Sequence, residues 1–289
     1  MVKNRLNRLP AVRLGLIILL LLAWTGAGLA VDSSALPAKD WNPRQVERLQ
    51  APAGGKLTFA VLGDGRSNPE VFGRVLRQLD RDPGLAFAIE VGDMVEQGTL
   101  AQFDEFFKQI RSAVRLPFLT AVGNHDLGKD QDLTLYREIF GPDYYAFHLK
   151  DNYFIVVNDA DLNGVGEPQW RWLEGELKKS QAYKTRLVFL HTPLFDPRGG
   201  ENHHCLPEAT GRRLAALLRQ YHVTHIFAGH IHGYFSGHWD GVPFTITAGA
   251  GAPLYGTDPE HFFYHYLKVT LQAGEVHVEV QRIKAAGDQ

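Results

Sequence analysis

Apolar residues in this chain occur in short runs that alternate with longer segments of helical spacing. Runs of about seven apolar residues bounded by turn residues are typical of strands buried on both faces. Segments with apolar residues every three or four positions predict helices with one buried face. This pattern predicts strands over 57–63, 85–91, 118–122, 186–190 and 224–228, and helices over 69–79, 100–114, 168–177 and 207–221.

The remaining segments are mostly strand-like. Residues 144–149 and 153–158 have the pattern of an antiparallel pair, and four further runs predict strands at 234–239, 244–247, 265–271 and 276–283. Together these elements predict one α/β domain over residues 57–284, with two sheets packed together and helices outside. Residues 31–56 contain several prolines and glycines and predict a linker, with at most one helical turn near residues 45–50.

The first thirty residues have a different composition. Four basic residues precede an uncharged stretch over 14–31, and the small residues Gly28 and Ala30 follow the leucine block. This arrangement predicts an export signal cleaved after Ala30, hence a periplasmic or secreted protein. The alternative is an uncleaved membrane anchor through 14–31, because that stretch is close to the minimum length for crossing a bilayer.

Charge and cysteine content narrow the possible functions. Without the four basic residues of the leader, 26 Lys and Arg face 32 Asp and Glu, a net charge of −6 with neutral histidines. This balance argues against broad nucleic-acid binding, which needs a basic face. Cys205 is the only cysteine, so no disulfide can form within the chain. It follows His203 and His204, but neighbouring residues on a loop diverge, and we do not expect a metal site there.

Candidate chemistry lies directly after the predicted strands. In α/β sheets, ligands collect outside the carboxyl ends of the strands. Carboxylate, amide and imidazole donors suit two divalent ions such as Mn, Fe or Zn better than Ca. Such ions hold a phosphate ester and activate a water molecule as nucleophile. The residues at these positions are Asp64, Asp93, Asn124, His125, Asp126, His191, His230 and His232.

For two groups of these residues the spacing predicts a specific role. His230 and His232 are two residues apart on an extended segment, so they face the same side and reach one metal or two adjacent ones. In the segment 123–126, His125 is suited either to protonating the leaving oxygen or to stabilising charge on the phosphoryl group. Asp126 is suited to orienting that imidazole. A single Gly-Asp or a single histidine at a strand end is weak evidence, because either also suits an ordinary turn.

The ordered set of motifs resembles the calcineurin-like metallophosphoesterase superfamily. Its pattern runs Asp-x-His, Gly-Asp, Gly-Asn-His-Asp/Glu, His and Gly-His-x-His, and the match extends over nearly all of residues 57–283. The resemblance implies a four-layer αββα sandwich with a two-metal site at the strand ends. It further implies that Asp93 bridges both metals and that His125 is the catalytic imidazole. One metal would be held by Asn124, His191 and His230, and the other by Asp64 and His232.

One position departs from this pattern. Arg66 stands where the family usually has a histidine, and a guanidinium cannot ligate a metal because it stays protonated. Three outcomes are open: weak binding of that metal with water filling the gap, replacement by another residue such as Glu96, or a one-metal site. In the third case Arg66 would bind a substrate phosphate oxygen. We favour Arg66 as a substrate contact.

The expected function is an exported, metal-dependent hydrolase of phosphate mono- or diesters, acting on a small phosphorylated substrate by a metal-activated hydroxide with help from His125. The alternative is a non-catalytic protein that binds metal or phosphate, since Arg66 disturbs one metal site. Contact with a membrane is expected only if the N-terminal segment stays uncleaved.

Overall fold

Two mixed β-sheets lie face to face at the centre of the protein. The computed structural model describes residues 36–161, 164–200 and 203–283. Over these residues the α-helices are α1 Trp41–Glu47, α2 Pro69–Arg81, α3 Leu100–Ala113, α4 Thr134–Phe140, α5 Glu167–Ser180 and α6 Glu208–Gln220. The strands are β1 Lys56–Leu62, β2 Ala88–Val91, β3 Phe118–Ala121, β4 Tyr145–Leu149, β5 Asn152–Val156, β6 Thr185–Phe189, β7 His225–Ala228, β8 Tyr234–Trp239, β9 Val242–Thr247, β10 His265–Gln272 and β11 Glu275–Arg282.

Each sheet combines parallel strands with antiparallel ones. The first sheet has the order β11-β10-β1-β2-β3, and β1, β2 and β3 run parallel. The second sheet has the order β4-β5-β6-β7-β9-β8, in which β5, β6, β7 and β9 run parallel. Because parallel strands end at the same edge of a sheet, the residues that follow β1, β2, β3, β6 and β7 gather at two neighbouring edges.

Side-chain alternation along the strands builds four layers. In β1, Phe59 and Val61 face the second sheet, whereas Ala60 and Leu62 face the helices on the outer side. In β6, Leu187 and Phe189 face the first sheet, and Val188 faces α5 and α6. Since neighbouring strand residues point to opposite faces, a strand buried on both sides is apolar throughout. The predicted αββα sandwich is therefore confirmed.

Phenylalanine rings fill the space between the two sheets. Phe59 stacks on Phe87 within the first sheet at 4.8 Å between ring centres, and Phe147 stacks on Phe154 within the second at 4.7 Å. Edge-on contacts such as that of Phe59 with Phe154, at 5.7 Å, join the sheets. Such offset and T-shaped pairs stabilise a core beyond the area that they bury. We call these four rings, with Phe189 and Phe227, the aromatic layer.

Helix α2 shows how local sequence places an outer layer. Asn68 caps its first turn, accepting a hydrogen bond from the Val71 backbone N–H, and Pro69 occupies the first helical position. Its apolar residues recur at helical spacing and are buried against the first sheet. Extension to Arg81, two residues past the predicted end, leaves this face unchanged.

Two short helices were not predicted from the sequence. Part of the predicted linker, residues 41–47, forms α1, and Asn42 exchanges hydrogen bonds with Thr120 on the edge strand β3. The helical turn expected near 45–50 therefore begins earlier and belongs to a helix packed on the domain. Helix α4 follows the third strand and buries Tyr136 and Phe140.

The predicted export signal or anchor over residues 1–31 lies outside the described residues. Among the residues that are described, none of the helices is both long and apolar enough to cross a bilayer.

Candidate metal centre

Tight backbone turns place the candidate ligands at the strand ends. Asp64, Asp93 and His230 all have positive φ angles, of 59°, 59° and 67°, which non-glycine residues adopt rarely. Such strained residues concentrate at functional sites, where surrounding contacts fix them. Gly92 shows why glycine precedes a ligand here: its φ is 95°, and an added Cβ would lie 2.5 Å from His191 Nδ1.

Four donor atoms converge from both sheets. His191 Nε2 lies 3.0 Å from Asn124 Oδ1, 3.2 Å from His230 Nδ1 and 3.3 Å from Asp93 Oδ1. Asp93 and Asn124 follow strands of the first sheet, whereas the two histidines follow strands of the second. We call these four residues the four-donor set.

Hydrogen bonds to the backbone orient two of the imidazoles. His191 Nδ1 lies 2.9 Å from the Val91 carbonyl oxygen, and His232 Nδ1 lies 2.7 Å from that of Pro253. A carbonyl oxygen only accepts, so each Nδ1 carries a proton and each Nε2 is directed into the site. This is the usual arrangement for metal-ligating histidines.

A buried atom without a well-formed hydrogen bond also points to a cation. Asp64 Oδ2 accepts the backbone N–H of His230, whereas Asp64 Oδ1 is buried, has no hydrogen-bond partner, and lies 3.3 Å from His232 Nε2. Leaving a buried carboxylate oxygen unpaired is costly. Among the described residues, one group of carboxylate, imidazole or thiolate donors has the spacing of a metal site: Asp64, Asp93 and His191, with ligand atoms within 4.8 Å of one another. The donor chemistry and this unpaired atom fit a divalent ion.

The site has an uneven charge distribution. Burial opposes a positive charge on His191, but Asp93 and Asp64 overcome it and raise its pKa to about 9. Burial and the neighbouring His191 lower the pKa of His230 to about 3. The carboxylates thus favour positive charge at the centre of the site, as they would favour a bound cation.

Asp126 does not orient His125, and that prediction is wrong. Its buried carboxylate accepts hydrogen bonds of 2.8–3.2 Å from the backbone N–H groups of Gly123, Asp93, Met94 and Val95. Burial and the charge of Asp93 raise its pKa to about 7. Asp126 therefore fixes the loops after β2 and β3 relative to each other.

The His125 ring is held by a different residue. Its Nδ1 lies 2.9 Å from the Glu96 carbonyl oxygen, so this nitrogen donates and Nε2 is left for chemistry. The Asp93 carboxylate accepts the backbone N–H of His125 at 2.9 Å. His125 is thus adjacent to the four-donor set but outside it.

Arg66 lies inside the half of the site built on Asp64 and His232. Its Nε is 3.3 Å from Asp93 Oδ2, and its Nη2 is 3.4 Å from His232 Nε2. Its Nη1 pairs with Glu96 Oε2 at 2.8 Å. Glu96 is therefore engaged by Arg66 and is not placed as a substitute ligand, which was one of the outcomes left open by the sequence.

Two buried acids were missed in the sequence. Asp159, after β5, accepts the backbone N–H groups of His191 and Thr192 and thereby fixes the end of β6. Glu90 in β2 accepts the Gly65 N–H; burial and the nearby Asp126 hold its pKa well above the usual range. The sequence contained a sign of each: Asp159 is a polar residue shortly after a predicted strand, and Glu90 is an acid within an apolar run.

An exposed aromatic ring lies at the mouth of the site. Tyr255 is 70% exposed, and its ring stacks on that of His232 at 4.9 Å. His204 is exposed, with its ring centre 6.2 Å from that of His230. These side chains therefore border the candidate metal centre.

Known proteins share this sequence pattern and this fold. The sequence model of the family described as calcineurin-like phosphoesterase matches residues 57–234. The serine/threonine-protein phosphatase CPPED1 of Danio rerio is 26% identical over 191 residues, which are 60% of this chain and 62% of the relative. A probable cyclic nucleotide phosphodiesterase of Rhodopseudomonas palustris is 24% identical over 223 residues, 67% of this chain and 78% of the relative.

A solved structure supports the same fold. The purple acid phosphatase from yellow lupin superposes with a TM-score of 0.65 at 18% identity, over 80% of this chain and 53% of the lupin chain. The chain thus spans about half to four fifths of the length of these relatives.

Proposed function

Because this chain belongs to the calcineurin-like phosphoesterase family, we propose that it is an exported, metal-dependent hydrolase of phosphate mono- or diesters. The observation that carries the proposal is the four-donor set, in which oxygen and nitrogen ligands from both sheets meet around His191 Nε2. Its substrate would be a small phosphorylated molecule, in keeping with the relative from Rhodopseudomonas palustris, a probable cyclic nucleotide phosphodiesterase.

The four-donor set would hold the divalent ion, with Mn, Fe or Zn suited to its mixed ligands. When bound, such an ion supplies Lewis-acid chemistry, neutralising phosphoryl oxygens and lowering the pKa of a water molecule. His191 keeps its Nε2 available because its Nδ1 donates to Val91. The chain therefore presents these donors without needing to rotate a ring.

In this proposal His125 protonates the leaving oxygen. Its Nδ1–H stays bonded to the Glu96 carbonyl while Nε2 gives up its proton, so the ring keeps its orientation through the step. Arg66 has donors on Nη2 directed into the site, suited to a phosphoryl oxygen. Tyr255 offers its exposed face to the leaving group.

The test is hydrolysis of p-nitrophenyl phosphate and bis(p-nitrophenyl) phosphate with and without Mn²⁺. Wild-type protein is expected to turn over at least one probe with metal, and His191→Ala to lose more than about 100-fold, because it removes a ligand. His277→Ala is the matched control, since this histidine is exposed on the edge strand β11. Undiminished metal-dependent turnover by His191→Ala would contradict the proposal.

One observation favours a second candidate, a non-catalytic protein that binds metal or phosphate. Arg66 already pairs with Asp93 and Glu96, which leaves fewer free charges for catalysis. The same assay separates the two: metal-loaded protein that binds phosphate but hydrolyses neither probe would favour the binding protein.

A further inference from the structure

The half of the site built on Asp64 and His232 is occupied by the Arg66 side chain, unlike the four-donor set. The Arg66 side chain is only 8% exposed, and its guanidinium lies between Asp93 and His232. These are two of the three remaining ligands that the family pattern assigns to a second metal. The guanidinium therefore lies where that metal would have to bind.

Lone pairs of His232 and Asp93 in this half already face Arg66. His232 Nδ1 donates to Pro253, so Nε2 has a single lone pair, and Arg66 Nη2 lies 3.4 Å from it. An imidazole lone pair that accepts an N–H cannot also ligate a metal, which requires a bond of about 2.0–2.1 Å. Asp93 Oδ2 likewise lies 3.3 Å from Arg66 Nε.

The guanidinium is also fixed from the opposite side. Glu96 Oε2 pairs with Nη1 at 2.8 Å, and Ser67 hydrogen-bonds the other Glu96 oxygen. The Glu96 backbone carbonyl binds His125, so the loop that holds Arg66 is tied to the catalytic imidazole. Arg66 would have to leave two carboxylates, Asp93 and Glu96, to vacate this position.

We propose that the Arg66 guanidinium replaces the second metal ion, so that each chain holds one divalent ion on the four-donor set. Asp64, whose Oδ1 lacks a hydrogen bond, has a carboxylate oxygen within 4.8 Å of donor atoms of Asp93 and His191 and would add a further donor to that ion. The permanent charge of Arg66 then supplies the second positive group facing the phosphoryl oxygens. The inference rests on the proposed function for its substrate, but the metal count does not depend on turnover.

The experiment measures metal per chain in the full-length protein after loading with excess Mn²⁺ and removal of free metal. Wild-type protein is expected to keep one Mn per chain, with the electron paramagnetic resonance spectrum of an isolated ion. Arg66→His, which restores the family's ligand, is expected to keep two ions with a spin-coupled spectrum. Arg66→Lys, which retains the charge, is expected to keep one.

Arg115→His is the matched control for an added histidine. Arg115 precedes β3, at the opposite end of this strand from the site, and its side chain is 86% exposed. This variant is expected to keep one ion, like the wild type. Circular dichroism and thermal melting check that each variant is folded.

Two coupled ions in the wild type would overturn the inference, whatever the behaviour of Arg66→His. One ion in both the wild type and a folded Arg66→His would overturn it too, because Arg66 would then not be what excludes the second ion. One ion without hydrolysis of any probe would uphold this inference and contradict the proposed function.

Discussion

At the scale of single residues, the sequence predicted which candidate ligands would lie together, but not the residues that support them. Asp93, Asn124, His191 and His230 stand at strand ends in a recognisable order, and the structure brings them together. Asp159 supports His191 from more than 30 residues away along the chain, so no local pattern connects the two. Such contacts depend on the packing of strands, which spacing in sequence does not encode.

The position of Asp126 leads to a prediction about metal affinity. Each Asp126 oxygen accepts two of the four backbone N–H groups, so the amide NH₂ of Asp126→Asn deprives two of them of their acceptor. Since Asp93 lies on the loop that Asp126 holds, we expect the affinity for Mn²⁺ to fall by about 10–100-fold. Titration of metal-free protein with Mn²⁺, followed by calorimetry, measures the change.

His125→Ala is the comparison for this variant. His125 lies outside the four-donor set, so its removal is expected to leave Mn²⁺ affinity near the wild-type value. It should slow the hydrolysis of alkyl esters more than that of p-nitrophenyl esters, which leave without protonation. If Asp126→Asn shows that same leaving-group pattern with unchanged affinity, Asp126 acts on the imidazole after all.

At the scale of elements, apolar runs located the central strands and the long helices to within about three residues. The two unpredicted helices, α1 and α4, have seven residues each. Neither begins with a side-chain cap, and α1 contains Pro43, so local propensity does not favour them. Packing stabilises them: Trp41 donates to the Phe118 carbonyl on the edge strand β3.

Strand β9 anchors two buried histidines whose titration should set the acid stability of the protein. The Thr245 side chain is hydrogen-bonded to His225 of the same sheet, and the Thr247 side chain is hydrogen-bonded to His265 of the other sheet. Burial lowers the pKa of both histidines from 6.5 to about 4. Between pH 6.5 and about 4 the unfolded chain therefore binds more protons than the folded one. The contribution of each histidine to the free energy of unfolding is thus fully present above pH 6.5 and is lost as the pH drops towards 4. Each histidine should contribute a loss of up to about 3 kcal/mol.

Urea unfolding of metal-free protein between pH 7.5 and pH 4.5 tests this. His265→Gln cannot take up a proton, so we expect its free energy of unfolding to depend less steeply on pH than that of the wild type. The exposed His277 of β11 gives the control, His277→Gln, which should follow the wild-type curve. Parallel curves for His265→Gln and the wild type would mean that folding does not lower the pKa of His265.

At the scale of the whole molecule, the layers were predictable and the strand order was not. Apolar strands such as β1 and β6 indicated burial on both faces, and the resemblance implied the four layers. The return of β10 to pair with β1, more than 200 residues away along the chain, leaves no trace in local spacing. Register of this kind is decided only when the sheet assembles.

The export proposal belongs to this scale, and mass spectrometry of the protein expressed from the full sequence tests it. We expect a mature chain beginning at Val31, found outside the cytoplasm and not in the membrane fraction, because small residues precede that point. Ala30→Trp should block cleavage, since the bulky ring does not suit a signal-peptidase site. An intact N-terminus in the membrane fraction of wild-type cells would instead indicate an anchor over 14–31.

The aromatic layer has a consequence for how this protein can vary. Two of the four donors follow strands of the first sheet and two follow strands of the second. The thickness of the aromatic layer therefore decides whether all four lie close enough to bind one ion. Metal bonds tolerate errors of only about 0.2 Å, much less than the width of one ring. The layer thus acts as a spacer with a narrow tolerance. In related sequences we expect a loss of bulk at Phe59 or Phe154 to be matched by a gain at a facing position, because the site cannot adjust its own width.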